Sequence, residues 1–130
     1  MIGGRIFDDT ALVSFAIGSS VYVRALVWAT VEEGIVLAVP AAALARAWAQ
    51  LSPVDRAALD VLLDLPNTVI ENLTRTAACD VGALLAAAPT ADIAAGQVVD
   101  AARRRGWAVV TAAASAARRL DPDVPVEELP

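Results

Sequence analysis

The chain has 130 residues, 58% of them hydrophobic and 19% charged, which is long and apolar enough for one domain with its own core and too apolar for a disordered segment or a linker. Ten basic residues, all arginine, against fifteen acidic ones give a net charge of −5, and that balance argues against broad, sequence-independent attraction to phosphate backbones. Histidine is absent and cysteine occurs once, which excludes histidine-based nucleophile pairs, HExxH zinc sites, imidazole bases and internal disulfides.

The N-terminus from Met1 to Asp9 lacks the apolar stretch and cleavage site of a signal peptide. Arg5 to Asp8 reads as a short strand, and Thr10 stands where an N-cap hydroxyl would start a helix. Gly18 stops that helix; Ser19 or Ser20 caps a second, which runs to Glu33 and closes at Gly34. Ile35 to Val39 is a continuous apolar run bounded by Gly34 and Pro40, the pattern of a strand buried on both faces. The uncharged run around it, Gly34 to Ala45, is broken by Pro40 and ended by Arg46, short of the ~20 apolar residues a spanning helix needs. A mean hydropathy of +0.59 therefore belongs to a soluble core, and a cytoplasmic protein with no membrane partner is expected.

A helix follows from Ala41 through Trp48 to Leu51, and Ser52-Pro53 opens another that ends before Pro66. Thr68 to Leu73 reads as the third strand. Thr74 caps a helix over Ala77, Val81, Leu84 and Leu85; within its alanine-rich pattern Cys79 reads as a buried, inert thiol. Pro89-Thr90 separates it from a helix carrying Asp92 through Arg105, ended by Gly106. Ala108 to Thr111 is the fourth strand and Ala114 to Leu120 a short helix. The tail from Asp121 reads either as a closing strand over Val124 to Glu127 or as a loose acidic end. Strands alternating with helices predict a single α/β domain over residues 1–130, a three-layer α/β/α sandwich with a mainly parallel sheet of four to five strands.

Ligands of such sheets bind outside the carboxyl ends of the strands, where this sequence places Asp8 and Asp9, Arg46 just beyond the second strand, and Thr111. The strings Ile6-Phe7-Asp8-Asp9-Thr10-Ala11-Leu12, Val39-Pro40 leading to Leu44-Ala45-Arg46-Ala47-Trp48, and Ala91 to Thr111 ending in Gly106-Trp107-Ala108-Val109-Val110-Thr111 resemble the PIN domain, the nuclease fold of VapC-type toxins, in order and over nearly the whole chain. The resemblance implies about four carboxylates that hold one or two Mg²⁺ or Mn²⁺ ions for phosphodiester hydrolysis. Asp9 matches the first of them. The second aligns with Arg46, the third with Ala95 and the fourth with Ala113; Asp92 matches an additional acid of some members, and Thr111 a threonine near the metal.

Two carboxylates, Asp9 and Asp92, are at most a weak metal site, and a guanidinium among them repels a cation or replaces it as counter-ion. The reading that follows is a PIN-like protein with a degraded metal site, non-catalytic and acting by binding, with no cofactor expected; the alternative is a Mg²⁺- or Mn²⁺-dependent ribonuclease toxin of weak activity, using Asp9, Asp92 and Thr111. The resemblance also implies homodimers and an antitoxin-like protein partner. Plainer roles stand beside these. Asp8, Asp9 and Asp92 suit helix N-termini, Thr111 suits a strand, and Arg46 suits a solvated helix face. Trp28, Trp48 and Trp107 read as core or subunit-interface anchors rather than base-stacking platforms. Arg103, Arg104 and Arg105 follow Asp100 at helical spacing and read as surface ion pairs, or else as contacts to RNA or a partner. Which of Asp8 and Asp9 faces the pocket is open, because one residue at a strand end reverses the side chain.

Overall fold

In the computed structural model, which describes residues 3–130, five short strands lie side by side: β1 (Gly4–Phe7), β2 (Val36–Pro40), β3 (Thr68–Glu71), β4 (Ala108–Thr111) and β5 (Val126–Glu128). Their order is β3-β2-β1-β4-β5, and every neighbouring pair is parallel. Parallel pairing requires crossovers. These are α1 (Asp9–Ile17), α2 (Val21–Glu33), α3 (Ala41–Gln50), α4 (Pro53–Leu63), α5 (Arg75–Ala87), α6 (Ile93–Arg105) and α7 (Ala114–Leu120). Among the described residues no single helix is long and apolar enough to cross a membrane.

Strand alternation sets the layers. Phe7, Leu37, Val39 and Val110 point to one face and pack with Leu12, Val23, Val27, Leu59 and Leu62 of α1, α2 and α4. Ile6, Ala38 and Val109 point to the other and pack with Val98, Val99, Ala102 and Ala117 of α6 and α7. The result is the three-layer α/β/α sandwich expected from the sequence, with its sheet wholly parallel. Helix α5 lies outside α6 rather than on the sheet, and Gly96 permits the contact: a Cβ there would meet Val81 Cγ1 at 2.8 Å.

Most element boundaries follow the expected signals. Ser52 accepts from the Asp55 N–H at 3.2 Å and Thr74 from the Ala77 N–H at 3.2 Å, while Gly18, Gly34 and Gly106 end α1, α2 and α6 with φ of 68–69°. Four readings are corrected. The N-cap of α1 is Asp8, and Thr10 lies inside the helix. The third strand stops at Glu71 instead of Leu73, where its pairing with β2 ends at Pro40. The closing strand is present but runs from Val126 to Glu128 beside β4. Cys79 is exposed, because α5 buries the face bearing Ala77 and Val81 and position 79 projects from the opposite one.

A single side chain ties one strand end and one helix start to the helical layer on the sheet. Gln97 of α6 is fully buried; its Nε2 donates to the Glu71 carbonyl at 2.9 Å and its Oε1 accepts from the Ala42 N–H at 2.9 Å. It thereby fixes α6 against the end of β3 and the start of α3.

Candidate functional site

The chain builds β2 and β3 to one side of β1 and β4 and β5 to the other, so the carboxyl ends of β1 and β4 form the topological switch point at which such sheets bind ligands. A crevice of about 180 Å³ opens there, lined by Asp8, Asp9, Thr10, Arg46, Asp92 and Ala95, and closed on the α7 side by Ala113, Ala116 and Ala117.

Asp8 follows β1 directly and caps α1, and its partly buried carboxylate is the most constrained group of the site. Its Oδ1 accepts from the Ala11 N–H at 2.9 Å and from the Thr10 hydroxyl at 2.6 Å. The Thr10 hydroxyl in turn accepts from the Ala112 N–H at 2.8 Å and lies 3.4 Å from the Thr111 hydroxyl. Thr111 is fully buried and accepts from the Ala113 N–H at 2.8 Å. The two threonines thus clasp the start of α1 to the end of β4. Burial raises the Asp8 pKa above the ordinary 3.8; the Thr10, Thr111 and Ala11 hydrogen bonds oppose that rise and the Asp9 charge adds to it.

A folded pKa above the unfolded one means that the native state binds more protons between the two values, so Asp8 makes stability fall as pH rises through that window. Asp8→Asn keeps a capping oxygen and removes the ionised form. Its stability relative to wild type is expected to grow as pH rises from 3.8 through the raised value and then to level off. Asp8→Ala, which has no cap, is expected to lose about 1 kcal/mol in acid. Urea titrations across that range check both, and a pH-independent difference between wild type and Asp8→Asn contradicts the assignment.

Arg46 reaches across from α3. Its Nε donates to Asp9 Oδ2 at 3.1 Å and its Nη1 to Asp92 Oδ2 at 2.5 Å. Asp92 also caps α6, accepting from the Ala95 N–H at 2.8 Å, so capping and ion pairing are filled by the same carboxylate. Arg46 is about half exposed, and pairs of that kind contribute only about 0–1 kcal/mol. Its importance is to the charge of the crevice rather than to the stability of the fold.

The donor set does not fit a divalent cation. Among the described residues no group of three or more acidic or cysteine side chains is placed to hold a metal. One oxygen of Asp9 and one of Asp92 are already taken by Arg46, and Asp8 is turned into the helix cap. Hard cations such as Mg²⁺ need convergent oxygens, and here a guanidinium lies between them.

The remaining expected residues lie elsewhere. Arg104 pairs with Asp100 at 3.2 Å as helical spacing predicts, but Arg103 is 3.7 Å from Asp121 instead, and Arg105 crosses to Glu71 on β3. None of the three lines the crevice. Trp48 packs on the main core and Trp107 on the second, whereas Trp28 is 66% exposed, so the core reading fails for it. Of the Asp8-Asp9 doublet that the sequence places at the strand end, Asp8 takes the helix cap and Asp9 the ion pair; Gln97 is a positioning residue that a lone glutamine in the sequence does not signal.

Neither a protein-family model nor a curated protein sequence matches this chain significantly. Among solved structures, a chain from the crystal structure of VapBC2 from Rickettsia felis, bound to a DNA fragment from the promoter, matches with a TM-score of 0.72 at 13% identity, over 100% of both chains. At that identity the likeness establishes architecture. The wholly parallel β3-β2-β1-β4-β5 sheet between two helical layers is a PIN-like fold.

Proposed function

We propose that this PIN-like protein acts by binding a partner rather than by cutting RNA, with Arg46 as the fixed counter-ion of Asp9 and Asp92 where a nuclease of this fold would hold Mg²⁺ or Mn²⁺. The observation that carries this reading is the fork of one guanidinium onto both acids. Ala95 and Ala113, which line the same crevice, supply no oxygen ligands that would draw a metal in against that charge. Single-turnover cleavage of a labelled RNA at millimolar Mn²⁺ tests it: no metal-dependent cleavage is expected, and cleavage that Asp9→Asn abolishes overturns it. The ribonuclease alternative draws on Asp9 and Asp92 lining one crevice, with Thr111 at the end of β4 beside it, and requires Arg46 to swing out.

An antitoxin-like protein is the partner class best supported. The VapBC2 chain was crystallised in a complex, and this chain carries an apolar groove of about 310 Å³ between α2 and α4, walled by Val27, Trp28, Val31, Val61 and Leu65. Trp28 and Val61 are exposed there, which leaves an apolar stripe on each helix of the kind an amphipathic helix covers. A second copy of this chain is the other candidate. Sedimentation at micromolar concentration separates the two: self-association that Trp28→Glu abolishes supports the second copy, and a monomer throughout contradicts it and leaves the groove to the antitoxin-like partner.

A further inference from the structure

The two edges of the sheet are built differently. Strand β5 has three residues, two of them Glu127 and Glu128, and follows Pro125, a short and charged edge of the kind that resists pairing with another chain. Strand β3 has no such guard. Its one charged residue, Glu71, is buried and tied to Arg104 and Arg105. Val69 and Ile70, on opposite faces of the strand, are 40% and 38% exposed, whereas Leu37, Ala38 and Val39 beside them on β2 are fully buried. The edge also offers main-chain groups. The Leu37 N–H donates to the Asn67 carbonyl at 3.0 Å, and with Leu37 opposite Thr68 and Val39 opposite Ile70 the parallel ladder directs the main chain of Thr68 and Ile70 away from β2. The Thr68 N–H is taken by the Leu65 carbonyl at 3.1 Å, but among the described residues the Ile70 N–H and carbonyl have no protein partner. Charge flanks this edge unevenly. Asp64 stands before β3 and Arg75 after it; both are exposed, and among the described residues neither takes part in an ion pair.

We propose that β3 pairs antiparallel with β3 of a second copy of this chain, about a two-fold axis at Ile70, joining two five-stranded sheets into one. In that register the Ile70 N–H of each copy donates to the Ile70 carbonyl of the other, and the free Thr68 carbonyl faces the second copy's Asn72 N–H. The two Ile70 side chains meet across the axis. Charge selects this occupant and this direction. Antiparallel pairing sets the start of one strand beside the end of the other, so Asp64 of each copy lies toward Arg75 of the second, whereas parallel pairing sets like charges side by side. The two-fold also covers both open edges at once and closes the assembly at a dimer. A strand of four residues makes a small interface, so association is weak, with a dissociation constant on the order of 10–100 μM. The pairing does not depend on whether the Arg46 crevice holds a metal, nor on what fills the groove between α2 and α4.

Sedimentation equilibrium of the full chain, loaded at about 10–300 μM to span that range, tests this. A monomer–dimer equilibrium is expected that Trp28→Glu leaves unchanged and that Ile70→Pro weakens at least about tenfold, because proline removes both central donors. The Ile70 N–H takes no part in the ladder with β2, so the variant is expected to keep its fold, which circular dichroism checks. Arg75→Asp and Asp64→Arg are each expected to weaken self-association about fivefold. Mixed in equal amounts, the two variants are expected to associate at least as tightly as wild type, since each then meets the opposite charge at both ends of the strand; misfolding does not produce that gain. A dimer that Trp28→Glu abolishes, a dimer indifferent to Ile70→Pro, or a mixture no tighter than either charge variant alone overturns the proposal. So does a monomer at every concentration, which leaves the edge to a strand of a different protein.

Discussion

The variant Arg46→Glu, Ala95→Asp, Ala113→Asp is expected to bind Mn²⁺ with a dissociation constant on the order of 0.1–1 mM, and the wild-type chain is expected to give no saturable binding. The three positions line one crevice with Asp8, Asp9 and Asp92, so the substitutions remove the internal cation and add three carboxylates around the space it vacates. Carboxylates that converge without a counter-charge repel one another, and a divalent ion relieves that repulsion. Arg46→Ala alone is expected to bind far more weakly, because it removes the counter-ion without supplying ligands. Isothermal titration calorimetry distinguishes these outcomes. A triple variant that is folded yet heat-silent with Mn²⁺ contradicts the alignment of these positions with a metal centre.

The second large effect belongs to Gln97. Replacing it with leucine keeps its bulk but leaves the Ala42 N–H and the Glu71 carbonyl without the partners they now have at 2.9 Å. The buried loss at the Glu71 carbonyl costs about 1–3 kcal/mol and the part-buried one at the Ala42 N–H less, so Gln97→Leu is expected to destabilise the chain by about 2–4 kcal/mol in urea unfolding. An exposed change such as Val54→Ala serves as the reference, since Val54 is 79% exposed and substitutions of that kind stay within about 0.5 kcal/mol. A Gln97→Leu variant as stable as the reference would show that those backbone groups find other partners.

The layer architecture was legible because its signals are local and redundant. Apolar runs such as Leu37 to Val39, caps at Ser52 and Thr74, and glycines at 18, 34 and 106 each specify an element end, and their succession specifies parallel strands with helical crossovers. Arg46, Asp9 and Asp92 were brought together through the family resemblance, and the structure does place one guanidinium on both acids. Asp8 was harder to read. At a strand end that leads directly into a helix, two adjacent carboxylates compete for the cap and the pocket, and only the threonine clasp decides that Asp8 is held while Asp9 reaches Arg46.

Long-range pairings were not legible. Arg105 with Glu71 spans from the end of α6 to β3, and Gln97 joins three elements distant in sequence; neither contact has a periodic or motif signature. The exposure of Cys79 and Trp28 has a related cause. Alanine is tolerated equally on either side of a helix, so the alanine-rich α5 leaves its buried face unmarked, and the apolar face of α2 is broader than the stripe that the core covers. An excess of that kind is what a partner surface looks like in a sequence.

The most direct test is a crystal of the wild-type chain soaked in Mn²⁺, with anomalous scattering recorded at the crevice. The account predicts no anomalous peak among Asp8, Asp9 and Asp92, and a guanidinium of Arg46 within hydrogen-bond distance of both Asp9 and Asp92. An ordered Mn²⁺ ion held by those carboxylates, with Arg46 turned out to solvent, would contradict it.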